Sequence, residues 1–231
     1  MARESSNLLL DSLPASLKCS LMARMQLVPL PVGTVLCNPG EQPKFAHFMT
    51  SGIASVVTFM ASGIGAEVGM IGSEGVVEAI NLLGPGKTPT SSFIQVEGSA
   101  LRIRFTELQE DIFKSQLLLK SILEFVQCHS FILSQLAACH GLHEIEGRLA
   151  RWLLMVQDRV NSEKFYLTQE FLAEMLGTRR TSVSASAAKL QSRGLIEYSR
   201  GHIRILDRAG LQAAACECYP IVRDLSAGLR S

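Results

Sequence analysis

Between Asp111 and Leu142 the chain has no proline and a single glycine, Gly141. A breaker-free stretch of that length predicts one helix longer than most globular helices. Two heptad-like seams can be drawn along it. One runs Leu118, Ile122, Phe125, His129, Ile132, Leu136, Cys139, His143; the other runs Leu119, Ile122, Val126, His129, Leu133, Leu136, His140, His143. A helix that is apolar on two adjacent stripes needs two covers. Its own domain can supply one, and the same helix of a second subunit is the simplest other. The plainer alternative is a helix inside one large monomeric core. The dimer interface is expected along Leu118, Ile122, Phe125, His129, Ile132 and Leu136.

Upstream of that stretch the texture is different. From Val28 to about Phe105 short apolar runs such as Ile53–Phe59 and Phe93–Val96 alternate with Gly and Pro punctuation. Such spacing argues a small all-β unit, a barrel or a roll. Before it, residues 12–25 read as a short helix that Ser12 could cap, with Pro14 in its first turn. The start of the chain shows no export-type apolar run, because Leu8–Leu10 is cut off by Asp11. The uncharged stretch from Glu124 to Glu144 holds three histidines besides Ser and Gln, too polar for a lipid-facing span. The expectation is a cytoplasmic protein without a membrane segment.

Downstream, Glu146–Val160 reads as a helix and Phe165–Leu167 as a short strand. Thr168–Gly177 reads as a short helix with Thr168 as its cap and Gly177 as its left-handed end. Thr178–Leu190 reads as a second helix, capped by Thr178. Val183, Ala187 and Leu190 face inward on it and Arg179, Arg180, Thr181, Ser184, Ala185 and Ala188 face outward. Two short helices around a tight glycine turn form a helix-turn-helix. Arginine disfavours a helix N-terminus, whose dipole is already positive, unless phosphate or guanine edges arrive there. Small Ser and Ala residues let such a helix sit deep in a major groove. Residues 195–199 and 202–206 then pair around Arg200–Gly201 as a wing, from which Arg200, His202 and Arg204 could reach phosphates.

Charge supports this. The whole chain carries a formal net charge of +1. Residues 1–145 hold 9 basic against 12 acidic side chains, and the remainder 13 against 9. Within Thr178–Arg208 the count is 7 against 2, a concentrated basic segment that attracts phosphate.

The six cysteines are scattered, with no CxxC pair, so free thiols are the default. Cys139, His140 and His143 offer half a zinc or haem site on one helix, and Cys216-Glu-Cys218 a thiol pair. The first three read more simply as seam residues and the pair as two free thiols, one buried and one exposed, so no resident metal is expected. Gly63–Gly69 has the spacing GxGxxxG in hairpin texture, not a dinucleotide fingerprint. No catalytic constellation emerges, so an enzyme is not expected.

With these motifs in place, the chain resembles the Crp/Fnr family of bacterial transcription regulators over nearly its whole length. Val28–Gly33, Pro39–Glu41, Phe48–Gly52 and Gly69–Gly72 stand where the family's sensor roll keeps its turns. Glu146-Gly-Arg148-Leu-Ala resembles the start of its DNA-binding domain. Leu167-Thr-Gln-Glu through Gly177, then Arg179-Arg-Thr-Ser-Val, is the most specific part. The resemblance implies an α+β fold. It comprises an N-terminal double-stranded β-roll of the cyclic-nucleotide-binding type (1–110), a long dimerisation helix (111–144) and a C-terminal winged helix-turn-helix (145–231). It implies a homodimer on inverted-repeat double-stranded DNA that acts with RNA polymerase. Arg180 matches the family's guanine- or phosphate-contacting arginine. Thr181 and Ala185 stand where other members carry Glu and Arg, so the operator should differ. The candidate DNA-contacting set is Thr168, Gln169, Thr178, Arg179, Arg180, Thr181, Ser182, Ser184, Ala185, Lys189, Arg200 and His202.

The sensor departs from the family. Its phosphate cassette reads Gly72-Ser73-Glu74-Gly75, and the later arginine position falls near Thr90-Ser91, with Lys87 as the nearest cation. The adenine-contacting Thr-Ser pair becomes Leu133-Ser134. A buried cyclic phosphate without a cationic partner is costly, so cyclic AMP is not the expected cofactor. The rivals are a cyclic-nucleotide-gated regulator using Lys87 and Ser91, and a redox or haem sensor using Cys139, His140 and His143.

Overall fold

The computed structural model describes residues 6–228 apart from Pro85 and Asn161. Pro85, two residues before the candidate cation Lys87, therefore lies outside the described residues. The chain begins with α1 (Leu8–Asp11) and α2 (Ala15–Met22). Asn7 caps α1 by accepting from the Leu10 N–H, and its Nδ2 donates to the carbonyls of Met49 and Gly75. Ser12 ends α1, and Pro14 precedes α2 without a side-chain cap. The helix expected over residues 12–25 is α2, which starts at Ala15 after Pro14 and is not capped by Ser12; α1 is an additional short helix that a buried asparagine anchors to the roll.

Six antiparallel strands follow: β1 (Gln26–Leu30), β2 (Val35–Cys37), β3 (Phe45–Phe59), β4 (Gly65–Ile71), β5 (Val76–Val77) and β6 (Ser91–Arg104). The path is β1-β6-β3-β4, with β2 on β6 and β5 on β3. Strands β3 and β6 run the length of the sheet and bend together, with register shifts from Met49 to Ala54. Gly52 and Gly98 make the bend possible. A Cβ at Gly98 would collide with the Ser51 carbonyl, and Gly52 has a φ of +74° against the Val96 carbonyl. The bend folds the sheet over itself into a β-roll.

The long helical stretch is broken once. α3 (Phe105–Lys114) and α4 (Gln116–Leu142) meet at Ser115, which is extended (φ −125°, ψ 108°) and caps α4 by accepting from the Leu118 N–H. The expected helix from residue 111 therefore begins at Gln116. A serine that can cap competes with helix continuation. Among the described residues α4 alone is long and apolar enough to cross a membrane by length and composition, yet its Leu118–Cys139 stripe is packed in the protein's own core.

That packing corrects the expected seam. Leu118, Ile122, Phe125, Ile132 and Leu136 are all buried within their own chain. The ring of Phe125 fills the space over Gly75, where a Cβ would collide with it. His129 stacks on Phe125 at 5.8 Å and lies against Gly69. These residues are core, not a surface for a second subunit. The exposed stripe is Leu123, Gln127, Ser130, Ser134, Ala137, Ala138 and Gly141. The two seams share Ile122, His129, Leu136 and His143, and periodicity cannot say which stripe the chain covers itself.

The remainder is α5 (Ile145–Val160), β7 (Lys164–Tyr166), α6 (Gln169–Met175), α7 (Arg180–Ser192), β8 (Ile196–Ser199), β9 (His202–Ile205), α8 (Arg208–Ala214) and α9 (Cys218–Gly228). The sheet order is β7-β9-β8. One core lies under the roll with α1 to α3 and the first half of α4. The other joins Ile53, Val57 and Met70 of the roll to α5, α6, α7 and the small sheet. Trp152 ties the two bodies together. It is fully buried, donates Nε1–H to Glu67 of β4 at 2.6 Å, and packs edge-on against Phe171, which packs edge-on against Phe93 of β6.

Candidate nucleic-acid interface and sensor pocket

The helix-turn-helix is built from local signals. Thr168 accepts from the Phe171 N–H and starts α6; Gly177, at φ +57°, ends the turn. Thr178 does not cap α7. Its N–H is used on the Ala173 carbonyl, and Arg179 takes the extended N-cap position with no side-chain cap. α7 thus presents an N-terminus without a capping side chain or an acidic residue in its first turn, which suits an incoming phosphate. Val183, Ala187 and Leu190 are buried, while Arg179, Arg180, Thr181, Ala185 and Ala188 are exposed and Ser182 and Ser184 half-buried.

Two of these side chains have partners within the protein. Arg180 Nε lies 3.0 Å from Glu170, both exposed, and the Ser184 hydroxyl donates to Gln169 Oε1 at 2.5 Å. Lys189 faces away from the helix start, 3.7 Å from Glu146, which also holds Arg193 at 3.0 Å. The wing is a tight hairpin. Arg200 (φ 51°) and Gly201 (φ 82°) supply the two left-handed residues of its turn. His202 is exposed beside the Tyr166 ring at 5.1 Å, and Tyr198 donates its hydroxyl to the Leu167 carbonyl at 2.8 Å. Thr168, Gln169, Glu170, Arg180, Tyr198, Arg200 and Gly201 line one groove of about 360 Å³ between the two helices and the wing.

A pocket of about 280 Å³ separates the roll from α4. Of the expected residues, Thr90 and Leu133 line it. Gly72, Ser73 and Glu74 do not. Glu74 instead binds Arg159 of α5 at 2.7 Å; burial alone would raise its pKa, but Arg159 and two backbone N–H groups hold it below the usual value. Lys87 and Ser134 are exposed and outside the pocket, and Ser91 lies 3.5 Å from the Cys37 carbonyl. The residue the sequence reading missed is Glu78. It sits at the pocket wall with φ +66°, and it is the only charged residue lining it among those described. Asn81 donates to its Oε2 at 2.5 Å, and burial raises its pKa, opposed by the hydroxyls of Ser92 and Thr88. His129 lines the same wall; burial pushes its pKa down to about 4, so it is neutral and adds no cation.

His140 does not join Cys139 and His143. It is half-buried, with its pKa pushed down to about 4 by burial and by Arg148 and Arg151. Cys216 and Cys218 take its place beside those two.

Residues 147–214 match the family model of the Crp-like helix-turn-helix domain. No curated protein matches the sequence. Solved structures do match over most of the chain. A candidate Crp/Fnr regulator from Eubacterium rectale ATCC 33656 aligns with a TM-score of 0.72 at 16% identity, covering 89% of this chain and 96% of its own. FixK2 from Bradyrhizobium japonicum aligns with a TM-score of 0.69 at 12% identity, covering 83% and 98%. The cyclic-di-GMP-responsive global regulator CLP of Xanthomonas campestris aligns with a TM-score of 0.68 at 16% identity, covering 83% and 99%. Residues 147–214 are thus a Crp-like helix-turn-helix domain, and the chain as a whole, with a β-roll and a long helix ahead of that domain, has the fold of the Crp/Fnr regulator from Eubacterium rectale.

Proposed function

We propose that the protein works as a homodimer on an inverted-repeat operator in the cytoplasm, without cyclic AMP, and acts there on RNA polymerase. The observation that carries the operator reading is the exposed Arg179–Ala188 face of α7 beside a two-residue wing turn. Two such helices about 34 Å apart enter successive major grooves of one DNA face. The exposed stripe of α4 supports the dimer. It pairs Leu123 with small residues at Ser130, Ser134, Ala137 and Gly141, which let two helices approach closely.

The pocket supports the absence of a nucleotide. CLP is cyclic-di-GMP-responsive, but here any phosphate would meet Glu78 and no cation. A buried like-charge contact of this kind is unfavourable. A neutral or cationic effector fits the chemistry better.

Selection of bound sites from random duplex DNA, with and without cyclic AMP, tests the proposal. An inverted repeat enriched in both arms is expected. Enrichment only with the nucleotide would overturn the pocket reading, and enrichment of a single half-site would overturn the dimer.

A further inference from the structure

We propose that Cys139, His143, Cys216 and Cys218 form a tetrahedral zinc site that staples the end of the long helix to the C-terminal helix. Cys139 and His143 lie one turn apart at the end of α4, and Cys216 and Cys218 flank the start of α9. One donor atom from each residue falls within 4.8 Å of all the others. The Cys139 and Cys216 sulfurs are 3.5 Å apart, and Cys218 Sγ lies 3.4 Å from His143 Nδ1. A zinc ion with bonds of about 2.3 Å to sulfur sets tetrahedral edges of roughly 3.7 Å, so a small contraction or expansion seats the ion. Three soft thiolates and an imidazole fill all four tetrahedral positions, leaving none for water, and are the donor set of a structural zinc site.

The surroundings point to the same ion. His143 turns its other nitrogen towards Glu217, 3.6 Å away, the partner that a metal-bound imidazole uses to fix its tautomer. Gln135 donates to Cys218 Sγ at 3.1 Å. Two arginines of α5 supply the charge argument. Arg151 is 1% exposed and Arg148 4%. Arg148 donates to the carbonyls of His140 and Leu176, Arg151 donates to Met155 Sδ and feels the Glu67 carboxyl, but neither forms an ion pair within 4 Å among the described residues, and the Nε of each has no partner. Both act electrostatically on the cysteine cluster. Buried guanidinium groups without a counter-anion are costly. Zinc with three thiolates carries a net charge of −1 and supplies that anion, with the three thiol protons released on binding.

The position gives the site its role. The Cys216 N–H donates to the Gly147 carbonyl at 3.2 Å, and α4 turns into α5 at His143–Ile145. An ion here joins the end of α4, the first turn of α5 and α9 across the joint between the long helix and the DNA-binding domain. Its occupancy fixes that joint, a control separate from the sensor pocket.

Titration of the reduced, metal-free full-length protein with cobalt(II) under nitrogen tests this. One cobalt per chain is expected, with visible bands of a tetrahedral ion and thiolate-to-cobalt charge transfer of three-thiolate intensity. Zinc should displace it and bleach the colour. Cys216→Ser/Cys218→Ser should lose the bands, and His140→Asn should keep them. A colourless wild-type titration overturns the proposal on its own, even where the double variant fails to fold. Bands retained in a folded double variant overturn it too, as does quantitative Cys139–Cys216 disulfide formation in air with zinc present.

Discussion

Arg180 is not free before DNA arrives, because Glu170 holds its guanidinium at 3.0 Å on the exposed face. Exposed pairs of this kind are worth little, so a guanine edge or a phosphate can replace the carboxylate at small cost. Arg180→Ala should weaken operator binding by about 1–3 kcal/mol and relax specificity at one position of each half-site. Anisotropy titrations against operators altered at each position check this, and an unchanged profile would remove Arg180 from the interface. Glu67 makes a second case at this scale. Burial raises its pKa from the usual 4.5 to about 7, against the hydrogen bonds of Ser55 and Trp152. A carboxyl whose pKa is raised on folding stabilises the fold when protonated. That contribution is present below about pH 4.5 and is lost as pH rises through about 7. The difference corresponds to at most about 3 kcal/mol. Thermal unfolding of the wild type between pH 5 and pH 8 should therefore show a decline that Glu67→Gln flattens; equal slopes in the two proteins would show that Glu67 carries none of it.

At the scale of elements, what could be read in advance was what local chemistry decides. Thr168, Gly177 and the Arg200–Gly201 turn mark the ends of α6 and the wing within a few residues of themselves, and the structure uses each as a boundary. The Gly-punctuated region folds as a roll for the same reason. What could not be read depends on distant packing. Which stripe of α4 the roll covers is decided by Gly75 and Gly69, which admit Phe125 and His129, fifty and sixty residues away in sequence. The resemblance points to Gly72–Glu74 for the cassette, while Glu78, which lines the pocket, stands in a Val-Val-Glu-Ala run with no motif of its own. The cysteine cluster joins donors some seventy-five residues apart, a closeness that no local spacing shows. The corrected stripe changes the test of the dimer. Charges at Phe125 or Ile132 would disrupt the core. Ala137→Glu and Ser134→Glu instead place charge on the exposed face and should leave folded protein. Sedimentation should then find monomers that bind a full operator poorly. Persistent dimers for both variants would move the interface elsewhere.

At the scale of the whole molecule, the roll and the DNA-binding domain share a core and are not independent bodies. Trp152, Phe171 and Phe93 bridge them through apolar contact, and Glu67 through a hydrogen bond to Trp152. Among the described residues the Glu74–Arg159 pair is the ionic bridge between them. It joins the turn after β4 to α5 at 2.7 Å, with both side chains nearly buried. Burial of this kind makes the two ends unequal to lose. Arg159→Met leaves the Glu74 carboxylate buried without its cation and should cost about 3–5 kcal/mol. Glu74→Gln/Arg159→Met removes both charges and should recover most of that loss. Because the pair spans the two bodies, the single variant should also loosen their coupling. Its calorimetric unfolding should broaden or split into two transitions, while the wild type and the double variant each unfold in one. A single variant that unfolds in one sharp transition with unchanged stability would show that apolar contact alone unites the molecule. In that case an effector in the pocket would have to reach the recognition helix through α4 or through Trp152 and Phe171, not through the charged bridge.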